Sequence, residues 1–341
     1  MDETRKWHIA KLCALGLFVS SGATEATERG NTHADLAFID TLAGVPLPPG
    51  FYVRDDINYN LSNRLNDQNG NKVQVRAGPF NFPVKFYAAS LADVITLAWV
   101  PELKIPYINA SLTTAAYGFY AVSRAEAQTN VFGNITGIGE TRRGRGDITF
   151  VPAAFGWSFP ERDIYFTLAP FDFTAPTGNY IGNDIIGNTP GLNYWSYRPA
   201  LLFTYLNAAG QEISINAGLS TNSENYATHY TSGSEIYFTW VAQQHFSLKL
   251  SLGLEGYYYV QYTNDIQNGE VVGTAPTFNP LISPDPLNSG PGNRGESFAI
   301  GPTISYTLTK HIFANFHYVR DVFSYNRKVN NAFWARVAIR F

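Results

Sequence analysis

The sequence predicts an all-β fold, a closed antiparallel transmembrane β-barrel of about 12 strands that follows an N-terminal signal peptide. Three observations predict it. From Gly50 onward, alternating or aromatic-rich segments follow one another without a long helical pattern. The connections between these segments alternate between short and long. The last residues, Asn330 to Phe341, alternate apolar and polar side chains and end on an aromatic residue, with nothing after them to cover the apolar face.

The composition fits a chain with lipid on one side and water on the other. Charged residues make up 15% of the 341 residues, against roughly 25% in an average soluble protein, and aromatic residues also make up 15%. No run of about 18 apolar residues occurs, which excludes a helical membrane protein. The net charge is -3, and no long Lys/Arg run suggests a nucleic-acid partner.

Residues 1–23 are predicted to be a cleaved signal peptide. Basic residues precede a short apolar stretch, Leu12 to Val19, and the small residues Ser21-Gly22-Ala23 then provide a cleavage site. Cys13 lies at the start of the apolar stretch, whereas a lipidation cysteine would follow it. Because Cys13 is the only cysteine, the mature protein should have neither disulfides nor thiolate metal sites.

The tract 24–50 is too short to form a domain of its own. It is either a disordered leader or a segment folded into the barrel lumen as a plug, and its apolar residues, among them Leu36, Phe38 and Ile39, favour the plug. Residues 51–341 are predicted to form the barrel.

Short connections predict which ends of the strands face the periplasm. They are expected at 101–104, 160–162, 207–210, 243–244 and 309–310, and the longest loop at 263–295. In transmembrane barrels short turns face the periplasm and long loops face outward, which places both chain termini on the periplasmic side. The predicted strands are 51–61, 82–99, 105–125, 147–159, 163–174, 194–206, 211–221, 234–242, 245–262, 296–308, 311–323 and 331–341.

The alternation of side chains assigns the two faces of several strands. In 245–262, for example, the even-numbered positions include Leu250, Leu252 and Leu254, whereas the odd-numbered positions include Lys249 and Glu255. A charge on the lipid face near the middle of the membrane costs about 2–4 kcal/mol, so the charged parity should face the lumen. The candidate lumen-lining residues are Arg54, Asp56, Arg198, Glu212, Glu235, Tyr237, Lys249, Glu255, Tyr257, Tyr259 and Arg336.

Both signs of charge occur in this set, so weak ion selectivity is expected at most. The set also allows a second interpretation, in which the charges pair with one another inside a filled barrel.

The segment 82–99 alternates too weakly for its faces to be assigned. Proline has no backbone N–H to donate to a neighbouring strand. Bulges or strand ends are therefore expected at Pro152, Pro170, Pro199 and Pro302.

Four motifs resemble those of a known family. They are Pro46-Leu47-Pro48-Pro49-Gly50-Phe51-Tyr52-Val53, Gly144-Arg145-Gly146-Asp147, Ala175-Pro176-Thr177-Gly178-Asn179-Tyr180, and an Asn/Thr/Tyr stretch that ends in Tyr230-Thr231-Ser232-Gly233. In this order they resemble the SphA-like, "MetA-pathway of phenol degradation" family. The resemblance implies an outer-membrane barrel linked to the uptake of aromatic or other hydrophobic compounds, and it brings no catalytic residues with it.

The residues give no independent sign of catalysis. The histidines after the signal peptide, His33, His229, His245, His311 and His317, lack the spacing of a metal site. Gly144 to Asp147 lacks the Lys-Ser/Thr of a phosphate-binding loop, and no Gly-x-Ser-x-Gly motif occurs. His229 near Ser232 and Ser234 is the single local arrangement that resembles a hydrolase. The expectation is therefore a protein that is not an enzyme and has no catalytic residues, cofactor or metal.

The leading functional hypothesis is an outer-membrane channel for passive uptake of small hydrophobic or aromatic compounds. A structural or adhesive barrel with no transport role is the alternative. Expected partners are outer-membrane lipid, the small hydrophobic solutes, and the barrel-assembly machinery, which would recognise Phe341. Arg142, Arg143 and Arg145 lie in a predicted outward loop, where they are either solvated or in contact with lipopolysaccharide phosphates, since Arg pairs well with phosphate.

Overall fold

A computed structural model describes residues 28–34, 36, 41–77, 80–182, 187–272 and 290–341. The predicted signal peptide and its cleavage point lie outside these residues. Within these described ranges, three short 3-10 helices, at Glu28–Gly30, Pro160–Arg162 and Pro291–Asn293, accompany 20 strands. No helix in the described part of the chain is long and apolar enough to cross a membrane.

The strands are β1 (Gly50–Ser62), β2 (Gln74–Ala77), β3 (Phe80–Val100), β4 (Lys104–Ile105), β5 (Ala110–Val131), β6 (Asn134–Arg145), β7 (Ile148–Phe159), β8 (Ile164–Ala175), β9 (Ser196–Tyr197), β10 (Ala200–Leu206), β11 (Gln211–Asn222), β12 (Glu224–Asn225), β13 (Tyr230–Thr231), β14 (Glu235–His245), β15 (Leu250–Gln261), β16 (Ile266–Gln267), β17 (Glu270–Val271), β18 (Glu296–Thr309), β19 (Ile312–Tyr325) and β20 (Asn331–Arg340).

Antiparallel pairing closes the large sheet on itself. β1 pairs with both β20 and β3, and β3 continues to β5, so the sheet has no free edge where the first and last strands meet. Two barrel strands are interrupted: β6 and β7 both lie beside β5, and β9 and β10 both lie between β8 and β11. Counting each interrupted pair once confirms the predicted closed antiparallel barrel of 12 strands.

Breaks in the pairing occur at three of the four prolines predicted to cause them, whereas Pro302 lies within the continuous strand β18, opposite Leu254. The register between β7 and β8 shifts around Pro152 and again beside Pro170. Pro199 separates β9 from β10. These irregularities follow from the missing N–H of proline, because a closed barrel has no edge at which that missing donor would be harmless.

The connections sort by length as predicted, with local differences. The turn after β3 is longer than expected and runs over 101–109, because β4 folds back to pair with the start of β5. β6 and a small outer sheet of β12, β13, β16 and β17 were not predicted. We name the end with the short turns the periplasmic end and the other the outer end.

The outer surface of the barrel is apolar. Ile57, Leu91, Ile95 and Leu97 all lie more than 40% exposed on the outward face of β1 and β3. Exposed aromatic side chains border this surface at the periplasmic end. They are Phe51 of β1, Trp99 of β3 and the C-terminal Phe341. An apolar band bordered by aromatic residues is typical of a transmembrane barrel.

Two acidic side chains interrupt this apolar surface. Asp55 of β1 and Asp93 of β3 are both exposed on the outward face, and their side chains hydrogen-bond to each other. Asp55 lies opposite Ile95 and Asp93 lies opposite Ile57, so the pair is flanked by apolar residues. Charges were predicted to face inward, and this pair departs from that pattern.

Replacing both outward acids with leucine is expected to stabilise the barrel. Lipid solvates carboxylates poorly, so Asp55→Leu combined with Asp93→Leu should raise the free energy of unfolding by about 1–2 kcal/mol. Urea titration in lipid vesicles measures this change. The control is Asp56→Leu, one position away but buried between two arginines, which should lower the free energy of unfolding. A less stable double variant would contradict the lipid-facing assignment.

Candidate functional site: the barrel lumen

The described residues of the tract before β1, 28–34, 36 and 41–49, make contacts with the outer loops and with the inner wall of the barrel. Near the outer end, Glu28 Oε2 accepts a hydrogen bond from Asn225 Nδ2 at 2.8 Å, and Glu28 Oε1 accepts one from Thr228 Oγ1 at 2.8 Å. His33 lies deeper, with its ring nitrogens 2.7 Å from Ser196 Oγ and 3.0 Å from Asp147 Oδ2. These contacts join the start of the described tract to the outer loops.

Farther along, the tract contacts the wall near the periplasmic end. The backbone N–H of Gly44 donates to Thr204 Oγ1 at 2.9 Å. A Cβ atom at Gly44 would lie 2.6 Å from the backbone of Phe203 and Thr204, so any larger residue would have to move away from the wall. Glycine is needed here because two backbones approach closely.

Glu212 is the main anchor of this part of the tract. Its carboxylate accepts hydrogen bonds from the backbone N–H of Leu42 at 2.6 Å and from Thr41 Oγ1 at 3.0 and 3.1 Å. Ser214 and Gln243 donate to it at 2.6 Å, and His245 Nε2 lies 2.6 Å away. Glu212 was predicted to line the lumen; it is 2% exposed, and its carboxylate binds the tract.

Arg198 has a similar role midway along the lumen. Its guanidinium pairs with Asp172 at 2.8 Å and also donates to Tyr117 OH and to the backbone carbonyl of His33 in the tract. Arg198 is 1% exposed. A buried charge with this many partners is stabilised, whereas an unpaired one would be costly.

The other predicted charges of the barrel wall also have partners. Asp56, fully buried, accepts from Arg336 and lies 2.8 Å from Arg54 Nε. Glu255 lies 3.5 Å from His317 Nδ1. The predicted tyrosines Tyr237, Tyr257 and Tyr259 also face inward and are buried, and Tyr259 OH donates to Glu235 at 2.7 Å.

The placement of Lys249 in the lumen was wrong. β15 begins at Leu250, and Lys249 lies in the exposed turn at 246–249. The Ser247 hydroxyl accepts hydrogen bonds from the backbone N–H groups of Lys249 and Leu250, which fixes the turn. The predicted strand started too early because the leucine alternation continues into the turn.

Space remains in the lumen between the tract and the wall formed by β1, β3, β5 and β20. This cavity has a volume of about 380 Å³. Of the predicted site residues, Arg198 and Tyr257 line it. The cavity exists because facing positions of β3 and β5 carry small side chains: Ala88 lies opposite Ala125, Ser90 opposite Ser123, and Ala92 opposite Ala121.

The cavity has an apolar part and a polar part. Val94, Phe86, Phe119 and Trp334 provide aromatic and aliphatic surface, with Leu36 of the tract opposite. Amide and hydroxyl groups and two cationic side chains of the loop after β19 line other parts of its wall; they include Asn58, Asn60, Ser90, Ser123, Arg327 and Lys328. A mostly apolar site with a few polar groups suits a small organic ligand.

This cavity was not predicted, because the lumen-lining candidates were charged and aromatic residues. Alanine and serine occur on both faces of 82–99, which made the alternation weak and left the faces unassigned. The run of small residues was itself the signal. A strand whose inward positions are all small leaves room beside it.

A buried acid lies above the lumen, in the outer loops. Asp265 is fully buried beside the small outer sheet, and burial raises its pKa to about 7. Hydrogen bonds from Tyr230 OH, Gly233 N–H and the side chains of Gln261 and Asn293 favour its charged form without outweighing burial. Asp265 therefore changes its charge near neutral pH.

The outer loops are expected to become more stable as the pH falls. An unfolded aspartate has a pKa near 3.9, so between about pH 4 and 7 the folded state binds more protons, and stability rises toward the lower pH. The gain is at most about 4 kcal/mol, from a difference of about three pH units. Hydrogen exchange in 261–272, corrected for intrinsic rates, should be slower at pH 5 than at pH 8. Asp265→Asn should remove this dependence, and an unchanged dependence in that variant would contradict the assignment.

Comparison with known proteins gives one family match. The model of the family described as "Putative MetA-pathway of phenol degradation" matches residues 62–337. No curated protein matches the chain.

Several solved structures are similar. The COG4313 outer membrane channel from Pseudomonas putida F1 is 15% identical with a TM-score of 0.60, and the alignment covers 89% of this chain and 100% of that chain. The CymD monoaromatic hydrocarbon channel is 7% identical with a TM-score of 0.43, covering 86% and 89%. A Pseudomonas aeruginosa FadL homologue is 10% identical with a TM-score of 0.36, covering 94% and 96%. The likeness to the first supports the barrel fold; the other two are too distant to add to it.

Proposed function

The chain belongs to the "MetA-pathway of phenol degradation" family, and on this premise we propose that it is an outer-membrane channel for passive uptake of small hydrophobic or aromatic compounds. The observation that carries the proposal is the cavity of about 380 Å³ inside a barrel whose outer surface is apolar. Its volume falls in the range of small-molecule sites.

The surface of the cavity suits an apolar solute. Val94, Phe86 and Phe119 face it from β3 and β5, and Trp334 faces it from β20. Burial of apolar surface contributes roughly 25 cal/mol per Å², so a single aromatic ring would gain a few kcal/mol by leaving water. A passive channel needs binding of about this strength, because a solute held more tightly would leave slowly.

We further propose that residues 24–50 form a plug. The described part of this tract is held by Glu212, Thr204, Asp147 and Asn225, on the inner wall and in the outer loops. Together with the paired charges of Asp56, Arg198 and Glu212, such a plug would restrict ions and water while leaving the cavity to solutes. The second interpretation of the charges, in which they pair, thus describes much of the lumen but not the cavity.

We also propose that the protein is not an enzyme. The solved structure that shares its barrel fold, from Pseudomonas putida F1, is described as an outer membrane channel. The hydrolase-like arrangement has partners that do not fit that role. His229, 64% exposed at its side chain, contacts Glu224 at 2.8 Å, and the hydroxyl of Ser232 accepts from the backbone of Glu28.

Uptake by whole cells tests the proposed function. A deletion strain should take up a radiolabelled apolar aromatic compound at low concentration more slowly than its parent, and the plasmid-borne protein should restore the rate. Equal uptake with and without the protein would favour the alternative, a structural or adhesive barrel without a transport role.

Two further partners are proposed from the surface. Phe341 is 70% exposed at the periplasmic end, where its N–H donates to Phe51 O at 2.8 Å, and it is available for the barrel-assembly machinery. Arg143 and Arg145 are exposed on β6 toward the outer end, where lipopolysaccharide phosphates lie. Phe341→Ser should lower the folded fraction in cells without changing the stability of the purified barrel.

A further inference from the structure

Arg327 is a buried cation among the residues that line the cavity. It lies in the loop between β19 and β20, is 4% exposed, and has its guanidinium carbon 4.2 Å from the ring centroid of Tyr259. The backbone carbonyl of Arg327 accepts from Asn66 N–H at 3.0 Å and from Ser324 Oγ at 3.1 Å, so the side chain starts from a fixed position. Within the described residues, its buried Nη1 has no hydrogen-bond partner.

The nearest acids do not use the donors of Arg327. Asp321 and Glu235 act on Arg327 electrostatically, but neither lies within ion-pair distance of it among the described residues. Asp321 accepts from Tyr257 OH and from the backbone N–H of Asn330, and Glu235 accepts from Tyr259 OH. A buried guanidinium nitrogen without an acceptor is costly, which points to an acceptor that arrives from elsewhere.

The charges that line the cavity are predominantly positive. The carboxylate of Asp147 is occupied by His33 and by the backbone N–H groups of Gly178 and Leu192. Lys328 also lines the cavity and makes no ion pair in the part of the chain that the structure describes. The four cations that line it are Arg124, Arg198, Arg327 and Lys328, of which the first two are paired with Glu126 and Asp172.

We propose that the cavity binds solutes with an anionic head group on a small apolar body, such as an arylalkyl carboxylate, and that Arg327 binds the head group. This inference rests on the proposed function and narrows its substrate class. The apolar body would lie against Val94, Phe119 and Trp334, and the carboxylate would pair with the guanidinium of Arg327, with Lys328 adding positive charge nearby. Arginine pairs with carboxylates through strong, directional hydrogen bonds.

Three probes that share one tail isolate the head group. They are 4-phenylbutanoate, 4-phenylbutan-1-ol and 4-phenylbutylamine, measured by calorimetry at pH 7.5 with the full-length mature barrel in lipid nanodiscs. We expect the anion to bind at least about tenfold more tightly than the alcohol, since a hydrogen bond to a charged group contributes about that factor. The amine should bind most weakly.

Variants assign this preference to Arg327. Arg327→Met should reduce the advantage of the anion over the alcohol to less than about twofold, while the affinity for the alcohol changes little. Arg327→Lys should keep part of the advantage, because the charge remains and the planar donor geometry is lost. The matched control is Arg320→Met, since Arg320 lies exposed on the outward face of β19 and should leave all three affinities unchanged.

The outcomes separate this inference from the proposed function. If the wild type binds the anion and the alcohol equally, the head-group inference is overturned and the proposed function stands. If none of the three probes binds, the proposed function itself fails. If Arg327→Met does not fold, the anion preference of the wild type and of the Arg327→Lys variant still tests the role of Arg327. The assignment to Arg327 would be overturned by two results together: Arg327→Lys keeps the full preference for the anion, and Arg320→Met abolishes it.

Discussion

Ala92→Phe is expected to lower solute affinity and uptake by at least about tenfold while the barrel still folds. Ala92 lies on the inward face of β3, opposite Ala121 of β5, where small side chains create the cavity. A phenyl group at this position would occupy the space that the solute needs, and the packed wall cannot expand to restore it. Binding of 4-phenylbutan-1-ol in nanodiscs and uptake by cells both measure the loss.

The matched control for this prediction is Ile95→Phe. Ile95 lies on the outward face of the same strand, 42% exposed, so the added volume enters lipid instead of the cavity. Its affinity and uptake should equal those of the wild type. If Ala92→Phe were folded and bound the solute normally, the cavity would not be the binding site.

Gly44→Val is expected to increase ionic conductance severalfold. The tract has no room for a side chain here, since a Cβ atom would lie 2.6 Å from the backbone of Phe203 and Thr204 in the barrel wall. The wall is held by its ladder of hydrogen bonds, so the tract must move, and its contacts to Glu212 are expected to weaken. Single-channel recording of the refolded protein in planar bilayers measures the change.

Gly118→Val provides the control. A Cβ atom at Gly118 meets only Ile148 at 3.5 Å, and the residue lies opposite the outward-facing Ile95. Its conductance should match that of the wild type. Unchanged conductance in a folded Gly44→Val variant would contradict the proposal that the tract restricts the lumen.

The fold could be predicted because the barrel imposes a two-residue period and a loop rhythm that are visible in one sequence. The ends of the strands were harder to predict. Leu248 continues the leucine alternation of β15 into a turn, and β7 continues β6 across the Gly146-Asp147 bend, so neither boundary has a local signal. The outer sheet consists of two-residue strands, which are too short for a periodic pattern to detect.

The site was predicted only in part, for a physical reason. Charged residues such as Asp56 and Glu212 face inward because lipid excludes them, and this much follows from alternation. Their partners, Arg336 and the tract, are distant in sequence, so pairing could not be read from it. The cavity depends on small residues at facing positions of two strands, and only the register of β3 against β5 reveals it.

The most direct test of the central claim is a crystal structure of the barrel soaked with 4-bromophenol, in which anomalous scattering locates the bromine. A bromine peak is expected inside the lumen, in the cavity between Val94, Phe119 and Trp334, and crystals of Ala92→Phe should lack it. Bromine bound only on the outer surface, with the cavity empty in the wild type, would contradict the claim that this cavity receives the solute.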